Sequence, residues 1–174
     1  MVYYWYAWFF SRKDGVILMK NIRILFKTFF MFLVGYCTYM AMEMTFRSYT
    51  FVLMGIVGGI SFILIDSINN KLSFNVDILI QCITGSSIIT IFELIVGRCL
   101  QILHYPEMWN YLNMPLNYKG VICLPFSLLW CIVSLFAILL ADSINYYIFH
   151  MNPRPYYKLF GKIIFQLPKR KCTL

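Results

Sequence analysis

Residues 121–141, VICLPFSLLWCIVSLFAILLA, form an unbroken apolar run without one charged side chain. About 20 such residues make a helix long enough to cross the hydrocarbon of a bilayer, and a helix apolar all round has no face to offer water. Working outward, hydropathy marks three more spans at residues 78–96, 50–65 and 26–42. The run at 50–65 is short and is expected to borrow Phe46 and Tyr49 at one end. Composition agrees: 61% of the 174 residues are apolar and 13% charged, too little polar surface to coat a water-soluble domain. Sixteen Phe, thirteen Tyr and four Trp suit helix ends lying at headgroup level. The expected fold is all-α, an integral membrane bundle of four transmembrane helices with an outer aromatic loop. Its parts are an interfacial N-terminal segment (1–25), the transmembrane domain (26–142) and a basic cytoplasmic tail (143–174).

Basic residues set the orientation, because Lys and Arg beside short loops are retained in the cytoplasm. Arg12, Lys13, Lys20, Arg23, Lys27, Lys71, Arg154, Lys158, Lys162, Lys169, Arg170 and Lys171 fall on one side of the four-span arrangement, against Arg47, Arg98 and Lys119 on the other. Both termini are therefore expected in the cytoplasm of a cell whose inner membrane holds the chain. The net charge of +8 follows from this topology and from attraction to anionic lipid, and needs no nucleic-acid partner.

The aromatic leader at residues 1–10 is too short to span and is followed by Arg12, Lys13 and Asp14 with no small-residue cleavage site. Two readings stay open for it: an interfacial anchor, or a segment upstream of a natural start at Met19. Cys37, Cys82, Cys99, Cys123 and Cys131 fall in or beside spans and only Cys172 in a tail. No Cys or His pair has metal-ligand spacing, so reduced packing thiols are expected, with no metal and no cofactor. Cys99 and Cys123 are near enough to the outer face for a pairing to stay open.

A duplication runs through the chain. Gly35 is followed by Glu43 and Arg47, and Gly85 by Glu93 and Arg98, both on odd-numbered spans. The even spans then end alike, in Asp66-Ser67-Ile68-Asn69 and Asp142-Ser143-Ile144-Asn145. Two tandem helical hairpins in parallel orientation are inferred, as internal repeats recur in membrane transporters. Carboxylates within spans are costly and turn to the bundle interior, which makes Glu43 and Glu93 the most informative residues. One reading pairs Glu43 with Arg47 and Glu93 with Arg98 as interfacial ion pairs that fix helix depth. The other makes the two carboxylates a shared site for a cation, a proton or a lipid headgroup. Gly55, Gly58 and Gly59 in span two have the small-residue spacing that lets helix backbones approach, for packing inside the bundle before a dimer seam.

The loop at 104–120 is too aromatic for a plain connector, and Pro106 and Pro115 forbid a regular helix across it. It is expected to fold back over the outer helix ends, where Trp109 and Tyr111 suit the interface and Asn110, Tyr111 and Asn117 join Glu43, Arg47, Glu93 and Arg98 in a polar cluster. Pro125, four residues into span four, predicts a kink near its outer end and frees the carbonyl of Val121.

On Met42-Glu43, Arg47-Ser48-Tyr49, Met54-Gly55, Gly58-Gly59, Glu93 and Gly97, and above all on Trp109-Asn110-Tyr111 running through Pro115, Asn117, Gly120 and Ile122-Cys123-Leu124-Pro125-Phe126 to Trp130, the chain resembles the small bacterial membrane proteins described as "putative ABC-transporter type IV" permeases. That family usually carries Asp at the position of Asn110. The resemblance implies a transport role and an ATPase partner on a separate chain, since Gly161-Lys162 lacks the rest of a phosphate-binding loop. No enzyme is expected: Ser127, Ser134 and Ser143 lack a nucleophile setting, and His104 and His150 fall on opposite sides of the membrane. The functional expectation is a membrane-embedded permease-like subunit with its polar site at Glu43 and Glu93. The alternative is a non-transporting membrane adaptor, sensor or assembly protein. The small-residue face leaves a homo-oligomer open.

Overall fold

The computed structural model describes residues 12–71 and 73–170. The aromatic leader at 1–10 and Cys172 lie outside the described residues. Among the described residues four helices carry the fold: α1 (Arg12–Arg47), α2 (Val52–Lys71), α3 (Ile78–Ile102) and α4 (Leu124–Ser143), the last continued by a wider turn at Ile144–Ile148. Two small antiparallel hairpins complete it, β1 (Asn117–Tyr118) with β2 (Ile122–Cys123), and β3 (Tyr156–Leu159) with β4 (Lys162–Gln166). The chain is mainly helical, as expected. Among the described residues, two helices are long and apolar enough to cross a membrane, Ile78–Ile102 and Leu124–Ile148, with Val52–Ile68 as a shorter apolar helix.

α1 has 36 residues, or about 54 Å at 1.5 Å per residue, and so exceeds the 26–42 span at both ends. It stops where Ser48 adopts a left-handed φ of 60°. α3 starts at Asp77, whose carboxylate accepts the Leu79 amide at 3.0 Å and satisfies one orphan donor of the first turn. α4 corrects the expected kink. Its first residue is Leu124, so Pro125 lies in the first turn, where its missing N–H was never needed. The carbonyl of Val121 that the proline leaves open accepts the Trp109 indole N–H at 2.8 Å.

α1 packs on α2 and α3 on α4 through glycines. A Cβ on Gly35 would stand 2.4 Å from the Phe62 Cβ and 2.8 Å from the Gly58 carbonyl oxygen, and one on Gly85 would meet Ser134 Oγ at 2.7 Å. Gly55, Gly58 and Gly59 face Tyr36, Tyr39 and Phe32 of α1, which places the small-residue face inside the molecule. The central core joins Ile65 and Ile68 of α2, Ile78 and Ile89 of α3, Trp130 and Ile138 of α4, and Tyr157 of β3. Outside it, Ile80, Ile83, Ile91 and Ile95 of α3 and Leu128, Ile132 and Phe136 of α4 are exposed. So broad an apolar exterior is foreign to a water-soluble monomer.

The basic tail contains structure that hydropathy does not announce. β3 and β4 turn at Phe160 and Gly161, with φ of 49° and 78°, the positive values a two-residue hairpin turn requires. The hairpin is fastened to the helix ends: the Phe160 amide donates to Asp77, Lys158 Nζ to Asn75 at 2.8 Å, and the Tyr157 hydroxyl to Asp142 at 2.9 Å.

Candidate functional site

Beneath the Trp109 loop is a cavity of about 300 Å³ between the two helix pairs. α1 contributes Tyr39, Met42, Glu43, Phe46 and Arg47, α2 Met54, α3 Glu93, the loop Trp109 and Tyr111, and α4 Phe126, Leu129 and Trp130. Glu43, Arg47, Glu93, Trp109 and Tyr111 thus line one cavity. Each is held by a definite local cause. Glu43 and Arg47 are four residues apart on one helix face and form an ion pair, while the Thr50 hydroxyl donates to the second Glu43 oxygen at 2.6 Å. Arg47 also donates to the Met108 carbonyl at 2.8 Å, which ties the loop to α1.

Glu93 is only 2% exposed and is held differently. Its carboxylate accepts the Trp130 indole N–H at 2.8 Å and the Tyr111 hydroxyl at 3.2 Å. Tyr111 stacks on Phe126 with centroids 4.5 Å apart, and Tyr39 stacks on Trp130 at 6.3 Å. Aromatic rings therefore form much of the wall around the two acids. A second cavity of about 140 Å³ lies against Glu93 on the side of Ile65, Ile89 and Ala137, and shares Tyr39, Met42 and Trp130 with the first. Ser61 lines it, and its buried hydroxyl has no hydrogen-bond partner among the described residues.

Three expected members stand elsewhere. Arg98 does not pair with Glu93; its guanidinium donates to Gln101, whose amide donates to the Lys119 carbonyl at 3.0 Å. Asn110 donates to Glu107 at 2.7 Å and accepts the Leu112 amide at 2.9 Å. Asn117 bonds the carbonyls of Leu112 and Met114 at 3.0 and 2.9 Å. These residues build the loop and do not line the cavity. Conversely, Tyr39 and Thr50 take part without having been singled out, and Phe126 and Trp130, quoted only for the resemblance, line the cavity. The indole of Trp130 was the available signal, since a buried N–H inside a span requires an acceptor.

A second polar layer lies at the opposite ends of the helices. Lys27 Nζ stands 3.1 Å from Asp66, which also accepts the Asn145 amide at 2.5 Å, joining α1, α2 and the end of α4. Asp142 meets Tyr157, and burial first, then this carboxylate, pushes the phenol above its ordinary range. Both Asp-Ser-Ile-Asn copies are thereby used. Cys99 and Cys123 are free thiols, as are Cys37, Cys82 and Cys131.

Comparison with known proteins matches residues 29–167 to the family described as "Putative ABC-transporter type IV". No curated protein and no solved structure gives a significant match. The matched region takes in the second half of α1, all of α2, α3 and α4, the Trp109 loop and the C-terminal hairpin, which is most of the chain. With its family so matched and its helices apolar on the outside, the chain belongs to the "Putative ABC-transporter type IV" family and is a transport-related membrane protein.

Proposed function

We propose that this chain is a four-span, permease-like transport subunit of the cell inner membrane, with both termini cytoplasmic and its substrate site or gate in the cavity at Glu43 and Glu93. One observation carries the reading: buried acids from two different helix pairs border a single cavity under a folded outer loop. Such placement is costly unless it serves pairing or passage. Beside the cavity lies a second, mainly apolar one, and Lys27, Asp66 and Asn145 join α1, α2 and the end of α4 in a separate polar layer. That sequence of polar cavity, apolar cavity and ionic layer suits a path opened by rearranging one hairpin against the other.

The repeat supports such a movement. Aligning Glu43 with Glu93 and Asp66 with Asp142 puts Gly35 on Gly85 and Gly58 on Ser134. Gly35 packs on Gly58, and Gly85 on Ser134, so the two pairs meet at corresponding contacts. Hydrolysis of ATP, if it drives transport, falls to a separate subunit.

Complementation provides the test. In a strain lacking its own copy, Glu43→Gln and Glu93→Gln proteins that insert and fold are expected not to restore the wild-type phenotype. Full restoration by both would make the carboxylates structural and favour the adaptor reading.

A further inference from the structure

We propose that the cavity takes an organic ammonium ion with an apolar body, its charge against Glu93 and its body in the space between the hairpins. The inference rests on the reading of this cavity as a substrate site and adds the ligand's chemistry. Glu43 already has its cation in Arg47. Glu93, equally sequestered, has none among the described residues, because Trp130 and Tyr111 are neutral donors. A buried carboxylate is stabilised best by a full opposite charge, so a place is left for one.

The walls specify which kind of cation. Tyr39, Trp109, Tyr111, Phe126 and Trp130 present rings, whose faces attract a weakly hydrated ammonium. A calcium or magnesium ion would call for six or more oxygens, which two spaced carboxylates among rings do not supply. An anion would meet repulsion from Glu93, whose charge no cation offsets among the described residues. The neighbouring cavity bordered by Glu93 is lined mainly by apolar groups and offers room for the body of the ligand. Ser61, 5% exposed and without a hydrogen-bond partner among the described residues, lines that space as a polar contact still to be filled. The cation could be a free solute or the amine of a lipid headgroup, since both present the same ammonium.

The experiment uses the full chain in a nonionic detergent and benzyltrimethylammonium as probe, with neopentylbenzene as its uncharged isostere. Saturable binding is expected, displaced by excess cation and not by the isostere. Glu93→Gln should weaken it at least about tenfold while the thermal transition stays cooperative. Tyr39→Leu should weaken it more than Tyr39→Phe, a comparison that decides the matter if Glu93→Gln does not fold. Lack of saturable binding to folded wild type, equal displacement by neopentylbenzene, or indifference to both substitutions would overturn the proposal. In phosphatidylglycerol nanodiscs, competition from added phosphatidylethanolamine assigns the site to a headgroup amine, and its absence to a free cation. Cation binding without Glu93-dependent flux in proteoliposomes upholds the site and removes the permease reading. A Glu93-dependent phenotype without cation binding does the reverse.

Discussion

Glu43 and Glu93 occupy matching places in the sequence and are compensated by different means, because four and five residues along a helix are different directions. Four residues bring Arg47 back over Glu43, whereas five turn Arg98 about 140° away from Glu93. Arg98 therefore serves the loop through Gln101, and Glu93 relies on Trp130 and Tyr111. A direct contrast follows. Arg47→Gln leaves a buried Glu43 carboxylate without its cation and should destabilise by about 2 kcal/mol, a value reduced because Arg47 is partly exposed. Arg98→Gln should change stability by no more than about 0.5 kcal/mol. Denaturation of the two variants in detergent, read by loss of helical circular dichroism, checks the order, and equal losses would contradict it. The sequence made the acids legible because charge in an apolar run is conspicuous. It hid the role of Trp130, whose single polar atom disappears in hydropathy and acquires meaning only when Glu93 is seen beside it, and that of Tyr39, whose ring stacks on Trp130.

Among the elements, contacts between helices depend on where a side chain is absent. Gly35→Ala would push a methyl against the Phe62 Cβ and the Gly58 carbonyl, neither of which is the far end of a flexible group. A cost of about 1–3 kcal/mol is expected, measured as a fall in the midpoint of thermal unfolding. Gly161→Ala meets nothing within 4 Å, so only its φ of 78° opposes the change, at about 1 kcal/mol. The C-terminal hairpin depends on Tyr157, which is 1% exposed. Tyr157→Phe removes the donor to Asp142 and should cost about 1–3 kcal/mol, with faster proteolysis of the hairpin as a second readout. Because burial and Asp142 raise the folded phenol's pKa, the neutral form is the one the fold favours. That contribution is fully present below the unfolded value of about 10 and is lost as pH rises through the higher folded value, so the hairpin should loosen only in strong alkali. Helices were readable from apolar runs, though their limits were not: setting span four at Val121 turned an N-terminal proline into an expected kink. The hairpin escaped notice because hydropathy saw only a basic tail, and its turn is Phe160-Gly161, not the Asn-Gly or Asp-Gly that usually marks one.

At the scale of the whole molecule, the distribution of charge and the position of the two polar layers describe the same axis. The layer with Glu43 and Glu93 lies under the loop that contains Lys119, and the layer with Lys27 and Asp66 lies toward the ends from which the C-terminal hairpin extends. Between them the exterior of α3 and α4 is apolar, with Ile83, Ile91, Leu128 and Ile132 exposed. Lipid is the solvent that such a belt fits, and the excess of Lys and Arg at the hairpin end is the ground on which that end is proposed to face the cytoplasm. Lys119 and Lys162 are both exposed and belong to opposite ends, which makes them suitable reporters. In a variant whose native cysteines are replaced, Lys119→Cys should react in intact cells with a membrane-impermeant maleimide. Lys162→Cys should react only after the membrane is opened. Labelling of both from outside, or of neither, would place the two ends on one side and remove the four-span arrangement. The basic-residue argument alone would survive a simple inversion poorly, so the sign of the result matters as much as the contrast: reaction at Lys162→Cys alone in intact cells would keep four crossings and reverse the orientation, putting the ionic layer outside and the aromatic cavity within.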